Sequence, residues 1–312
     1  MIPSALLFPG QGAQCVGMGR EFYESSPQAR EVFDQADSII KGLKDVIFNG
    51  PEDDLTSTKF CQPAIFTFSI AALAAFQAHP AYKKFSPQYA CGLSLGEYSA
   101  LTAAGALGFQ ETLKLVERRS AYMEEAAKLV KGTMSAVVGC DKEKILLICL
   151  ETGAQVANFN SPEQTVITGK EACVQEASRR LGKAGAKRVI PLSVSGAFHS
   201  SLMQPAVGPF SQALEKLSLK VPTLSLLSNV DALPTRDPAL IRKNLAKQIT
   251  SAVQWVDSIN AIAAQGVRQF FEIGPGTVLK GLVRKINPEL SVINIQRPGD
   301  LEKLLKYSAT QN

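Results

Sequence analysis

The chain lacks the features that would place it in several large classes. Its 312 residues hold six cysteines, at 15, 61, 91, 140, 149 and 173, and no C-x-x-C pair. Such scattered thiols exclude a disulfide frame or a thiolate zinc site, and a cytoplasmic setting is the expectation that follows. No apolar run approaches the roughly 20 residues that a membrane span needs. The opening MIPSALLFPGQGAQ has neither a basic n-region nor a long apolar h-region, so it does not read as a secretion signal. The net charge of +5 comes without a long basic block. That is too diffuse for nucleic acid, and it is compatible with an anionic substrate or an acidic partner. Histidine is scarce: only His79 and His199 occur.

What is present is an ordinary globular composition, 46% hydrophobic and 20% charged, with length for about two structural units. The first and last parts alternate strand and helix text. ALLF runs into a glycine loop, QYACGLS follows a helix that is apolar nearly all round, and RQFFEIGPGTVLKGLVRKI reads as strand, Gly-Pro-Gly turn, helix. This predicts a mostly parallel sheet with helices on both faces. The middle is different. Strand text at 133–138, helix at 142–150, strands at 156–160 and 164–169, helix at 171–184 and strand at 187–194 spell β-α-β-β-α-β, a ferredoxin-like unit. The expected division is an α/β unit of residues 1–128 and 196–312, interrupted by a small unit of residues 129–195. The text after Gln296 predicts a loosely attached final helix.

Gly92-Leu93-Ser94-Leu95-Gly96 spells G-x-S-x-G between strand text and helix text, the context of a nucleophile elbow. Ser94-x-x-Glu97 also spells a capping box, so Ser94 reads either as a nucleophile or as a helix cap. Glu97 reads as a first-turn acid that favours the helix N-terminus. A serine nucleophile needs a base. His79, before a proline, reads as a solvated loop residue. His199 lies in a loop at a strand end, where sites of open α/β sheets gather, or else it is a satisfied buried histidine. No Asp or Glu between Ser94 and His199 is a persuasive third member; Asp141, Glu151, Glu163 and Glu171 all fall at helix or turn positions of the small unit. The N–H of Leu95 is a candidate oxyanion donor, and Gln11 in the loop Pro9–Gly12 another, unless that loop is a simple turn. Of the adjacent Arg118 and Arg119, one must point inward, where it needs an anion: a ligand or a structural salt-bridge partner.

FPGQGAQ, GLSLGEYSAL, LVERRSAYMEEA, NFNSPEQTVITG, GAKRVIPLSVSGAFHSSLM, QITSAVQW and FFEIGPGTVLKGLVRKI occur in an order that resembles the malonyl-CoA:acyl carrier protein transacylases, from about Leu7 to Gln296. The resemblance implies an α/β-hydrolase-like large subdomain with a ferredoxin-like insert. It implies transfer of malonyl from malonyl-CoA to acyl carrier protein in fatty acid biosynthesis, with no metal or organic cofactor, no nucleic acid or membrane partner, and a monomer. It assigns Ser94 as nucleophile, His199 as base, the main-chain carbonyl of Gln248 as the group holding His199, and Gln11 and Leu95 as oxyanion donors. It assigns Arg119 to the malonyl carboxylate, with Asn160 and Phe198 beside the substrate; a bulky Phe198 accompanies malonyl rather than methylmalonyl. Leu93 stands where many members have His. Lys187, Arg188, Lys280, Arg284 and Lys285 are candidates for coenzyme A or carrier contacts, or else a solvated face. The same elbow on this fold class leaves two other readings: an esterase or thioesterase, and a non-catalytic carrier-protein docking subunit.

Overall fold

A computed structural model describes residues 1–306; the last six residues of the text after Gln296 lie outside the described residues. Its strands are β1 (Ile2–Phe8), β2 (Phe85–Gly92), β3 (Gly132–Val138), β4 (Gln155–Ser161), β5 (Gln164–Lys170), β6 (Arg188–Pro191), β7 (Ser225–Leu227), β8 (Pro234–Thr235), β9 (Gln269–Ile273) and β10 (Ser291–Ile295). They form two sheets. The larger has the order β10-β9-β1-β2-β7-β8, parallel except for β8. β1 is buried from Ser4 to Phe8, the near-continuous apolar run of a strand covered on both faces. Its alternate residues serve two cores. Leu6 and Phe8 face the large cluster that holds the helix Thr58–Ala78, and Ala5 and Leu7 face a second cluster around Trp255 and Phe270.

The helix Thr58–Ala78 corrects the reading of apolar runs. Its stretch Lys59–Ala78 is long and apolar enough to cross a membrane by length and composition, and 83% of its most apolar window is buried inside the fold. It is the central helix of the large core.

The smaller sheet is antiparallel, in the order β4-β5-β3-β6. With the helices Lys142–Thr152 and Glu171–Lys183 between its strands, it is the β-α-β-β-α-β unit that the text at 133–194 predicts. The strand expected over 187–194 is shorter: after Pro191 one more bond reaches β3, Leu192 N–H to Met134 O at 3.0 Å, and the chain then turns, with Val194 N–H donating back to Leu192 O at 3.1 Å. The free edge of β4 takes a parallel bridge, Asn158 to Val253, closed by Phe159 N–H to Val253 O at 2.9 Å and Val253 N–H to Ala157 O at 2.8 Å. This bridge ties the segment after the helix Pro238–Gln248 to the small sheet. The final helix, Pro298–Leu305, is docked rather than loose, since Leu301 and Leu304 are buried in the large core. β10 is an edge strand that the sequence reading does not contain; its five residues carry too short a pattern to announce it.

β2 and the helix Gly96–Ala103 meet in close backbone contact. A Cβ on Gly92 would lie 1.9 Å from the Gly96 carbonyl carbon, and one on Gly96 would lie 2.1 Å from Phe8 O. Only hydrogen fits at either place. Gly92→Ala should therefore lower stability by about 3 kcal/mol or more in chemical denaturation, at the upper end of overpacking costs. Gly182→Ala, at a helical glycine with nothing within 4 Å of the added methyl, should be neutral or stabilising by up to ~1 kcal/mol. Equal effects of the two would contradict the packing account.

Candidate active site

The C-terminal ends of β1, β2 and β7 lie side by side, and the loops leaving them converge. Between β2 and the helix Gly96–Ala103 the chain turns at Ser94, whose φ of 53° is left-handed, a costly conformation for a side chain with a Cβ. Asn229, just beyond β7, braces the turn. Its Oδ1 accepts from Ser94 N–H at 2.7 Å, its Nδ2 donates to Gly92 O at 2.7 Å, and its own carbonyl accepts from Gln254 N–H at 2.8 Å. The capping reading of Ser94 fails: Leu95 is the N-cap of the helix, and no side chain caps it. The serine hydroxyl points elsewhere.

It points to His199. Ser94 Oγ lies 2.8 Å from His199 Nε2, and His199 Nδ1 lies 2.9 Å from the main-chain carbonyl of Gln248. A carbonyl only accepts, so Nδ1 carries the hydrogen and Nε2 offers its lone pair to the serine hydroxyl. The orienting group is a neutral carbonyl, which explains why no acid between the two residues suits the role. His199 is itself buried and left-handed, with φ 58°. The loop is held by Thr168 Oγ1, which donates to Phe198 O at 3.0 Å, and by Ser200 Oγ, which donates to Ala197 O at 2.6 Å. Burial, and then the charge of Arg119, push the imidazole down to about 4, against the pull of the carbonyl contacts. His199 is therefore neutral at pH 7.

Of the arginine pair, Arg119 turns inward and Arg118 outward. Arg119 is 1% exposed. Its Nη1 donates to Gln62 Oε1 at 2.7 Å, and its Nη2 donates to Gln248 Oε1 at 3.0 Å and to Ser94 Oγ at 3.2 Å. The guanidinium carbon lies 5.2 Å from the Tyr98 ring centroid, and its buried Nε has no partner. Among the described residues no carboxylate lies within 4.0 Å of it, so a structural salt bridge does not account for its burial. Neutral amide oxygens hold a full positive charge beside the serine.

The loop after β1 abuts the elbow. Leu93 N–H donates to Phe8 O at 3.1 Å, and Gly10 sits so near Leu93 that a Cβ would be 2.5 Å from its carbonyl oxygen. Gln11 follows Gly10 in this loop and is exposed. Among the described residues neither the Gln11 nor the Leu95 N–H has a protein acceptor. Phe198 is half-buried and packs between the large core and the apolar face of β3 and β5. Asn160 lies in β4; its Nδ2 donates to Gln164 Oε1 at 3.4 Å, and its Oδ1 is buried without a partner. None of its contacts reaches Ser94, His199 or Arg119. His79 stands apart and is not simply solvated: its Nδ1 accepts from Ala81 N–H at 3.3 Å and caps a short 3-10 turn. Lys187, Arg188, Lys280, Arg284 and Lys285 are all exposed.

Three members of this constellation escape sequence reading. Gln62 carried one signal, an amide side chain inside a mostly apolar helix that also buries Thr67 and Ser69. Asn229 carried only its place at a strand end. Glu97 reads as a first-turn acid, and its Oε2 accepts from Gln248 Nε2 at 2.6 Å.

Known proteins match this arrangement over nearly its whole length. The acyl transferase domain family matches residues 5–294. The malonyl CoA-acyl carrier protein transacylase of Bacillus subtilis (strain 168) is 41% identical over 314 residues, 99% of this chain and 98% of the relative. That of Staphylococcus aureus (strain MRSA252) is 38% identical over 97% of this chain and 98% of the relative. An acyl-carrier-protein S-malonyltransferase from Bartonella henselae superposes with a TM-score of 0.92 at 37% identity, covering 98% of this chain and 99% of that one. A malonyl-transacylase solved in complex with its type II polyketide acyl carrier protein gives a TM-score of 0.92 at 35% identity, over 97% and 99% of the two chains. With its elbow serine, carbonyl-held histidine and buried arginine in one mixed α/β frame, this chain belongs to the acyl transferase family, among the malonyl CoA-acyl carrier protein transacylases.

Proposed function

We propose that this chain moves the malonyl group of malonyl-CoA to the phosphopantetheine thiol of an acyl carrier protein, supplying fatty acid synthesis through a malonyl ester on Ser94. One observation carries the reading: a single hydroxyl, Ser94 Oγ, lies 2.8 Å from a neutral imidazole and 3.2 Å from a buried guanidinium without a carboxylate. A base-activated serine serves acyl transfer, and a buried cation beside it serves an acyl group that ends in a carboxylate.

In the first half-reaction His199 Nε2 takes the hydroxyl proton as Oγ attacks the thioester carbonyl. The oxyanion is received by the N–H groups of Gln11 and Leu95, each such donor being worth about 3 kcal/mol. The C–S bond breaks, His199 gives its proton to the leaving thiolate, and coenzyme A departs as a thiol. Arg119 pairs with the free malonyl carboxylate through its planar fork of donors. In the second half-reaction the carrier thiol gives its proton to His199 and attacks the ester, and Ser94 recovers the proton on leaving. The chemistry needs no metal or organic cofactor. The unit of residues 129–195 steadies the base through Thr168, while the flanking segments carry the nucleophile. Phe198, next to the base, crowds an α-methyl and favours malonyl over methylmalonyl. Free thiols at all six cysteines suit a reducing compartment such as the cytoplasm.

Mass spectrometry after malonyl-CoA should show a covalent adduct on the native chain and none on Ser94→Ala. Without carrier protein the native chain should give one burst of coenzyme A; steady release of malonate instead would indicate a hydrolase, and no adduct at all a docking subunit. Arg119→Ala should cut malonyl kcat/KM about a hundredfold, the scale of a lost buried charge pair, while acylation by acetyl-CoA persists. An equal fall for both substrates would remove Arg119 from carboxylate recognition.

The base has a pH signature. A proton on Nε2 abolishes base function, so modification of Ser94 by a neutral sulfonyl fluoride should fall as pH drops through about 4, the folded value of His199. An ordinary imidazole would give that limb near ~6.5. The unfolded chain binds this proton below ~6.5 and the folded chain only below about 4, so this residue's share of stability should be lost as pH falls between those values.

A further inference from the structure

We infer that Glu97 is a positioning residue for acyl-group selection: through the side-chain amide of Gln248 it sets the orientation of the Arg119 guanidinium. The inference rests on the reading of Arg119 as receptor of the malonyl carboxylate. Glu97 is buried in the first turn of the helix Gly96–Ala103. Its Oε2 accepts from Gln248 Nε2 at 2.6 Å and from Asn229 N–H at 3.3 Å. Gln248 Nε2 also donates to Ser94 O at 2.9 Å. With both hydrogens of Nε2 engaged on this side, the amide must turn Oε1 the other way, where it accepts from Arg119 Nη2 at 3.0 Å. A flip of the amide breaks both Nε2 bonds and sets an NH2 against the guanidinium, donor against donor.

The arrangement solves a problem that a buried receptor arginine poses. A carboxylate in direct contact would orient the guanidinium and also neutralise it, in competition with the substrate. Here the carboxylate stands one amide away. Glu97 orients Gln248, Gln248 and Gln62 orient Arg119, and the charge stays available. Burial raises the Glu97 carboxyl to about 7, with Asp231 adding to the rise and the Gln248 and Asn229 bonds and Arg119 opposing it. In either protonation state Oε2 accepts from both N–H groups, so the amide orientation is kept.

The test compares Glu97→Met, which removes the acceptor at similar volume, with Glu97→Gln, which keeps an acceptor there. Steady-state kinetics are measured with malonyl-CoA and with acetyl-CoA. Glu97→Met should raise KM for malonyl-CoA and lower its kcat/KM about tenfold relative to that for acetyl-CoA, the scale of one hydrogen bond lost in a charged network; any loss common to both substrates reports the Ser94 turn that Gln248 and Asn229 also hold. Glu97→Gln should stay within about threefold of the native chain for both substrates. Equal losses with the two substrates in Glu97→Met, unchanged malonyl kinetics there, or a fall in Glu97→Gln as deep as in Glu97→Met, would each overturn the inference. Should Glu97→Met not fold, Glu97→Asp withdraws the acceptor by one methylene and should show the same malonyl-specific rise in KM; its absence would overturn the inference equally. Arg119→Ala run alongside separates the two claims. If it keeps its preference for malonyl, the receptor reading fails; if it loses the preference while the Glu97 variants keep it, only the present inference fails.

Discussion

The backbone contact between Gly92 and Gly96 is the constraint on which the site depends. Strand and helix approach until there is no room for a methyl at Gly92, the end of β1 leaves none at Gly96, and the chain between them turns through a left-handed Ser94. Ser94 occupies that turn at a cost of about 1–3 kcal/mol in backbone strain. Two nearby groups hold it there. Asn229 bonds both its N–H and the preceding carbonyl at Gly92, and the Gln248 amide bonds its carbonyl. The outcome is a hydroxyl that projects from the backbone at the end of the parallel sheet instead of folding back onto the helix N-terminus.

Burial organises the rest of the chemistry. Arg119 and His199 sit together out of water, one charged and one neutral. Desolvation, and then the field of the guanidinium, hold the imidazole neutral. A neutral imidazole held by a carbonyl is a base; a carboxylate in that carbonyl's place would stabilise the imidazolium and also pair with the arginine. Use of the Gln248 main chain for His199 and of its side chain for Arg119 lets one residue serve both without adding negative charge.

Much of the fold was legible. The β-α-β-β-α-β unit appears where the text at 133–194 places it, because short strand runs alternate with helices that bury one stripe, Ile145, Ile148 and Cys149 in the first and Val174, Ala177 and Leu181 in the second. Where both faces of an element are buried, periodicity vanishes. The helix Thr58–Ala78 is therefore indistinguishable by composition from a membrane span, and only its surroundings decide. Edges were the weakest part: β6 stops at Pro191 and β10 is too short to read. At the site, Ser94 was legible through its flanking glycines and His199 through scarcity. The two readings of Ser94 stayed open because a cap and an elbow share the same letters; φ at Ser94 and the position of Leu95 as the N-cap separate them.

The sequence by itself determined the local geometry: a serine that must turn sharply because glycines flank it, a histidine in a strand-end loop, an arginine on the buried face of its helix. These follow from sterics and periodicity, which act between near neighbours. Only the tertiary structure decided which groups share one site. Gln62, Ser94, Arg119, His199, Asn229 and Gln248 span nearly two hundred residues of chain, and their bonds exist because β1, β2 and β7 align their ends and Val253 docks on the edge of β4. Hydrogen bonds of this kind depend on distances of a few ångströms between distant segments. No local pattern encodes such distances; the packing of both cores sets them.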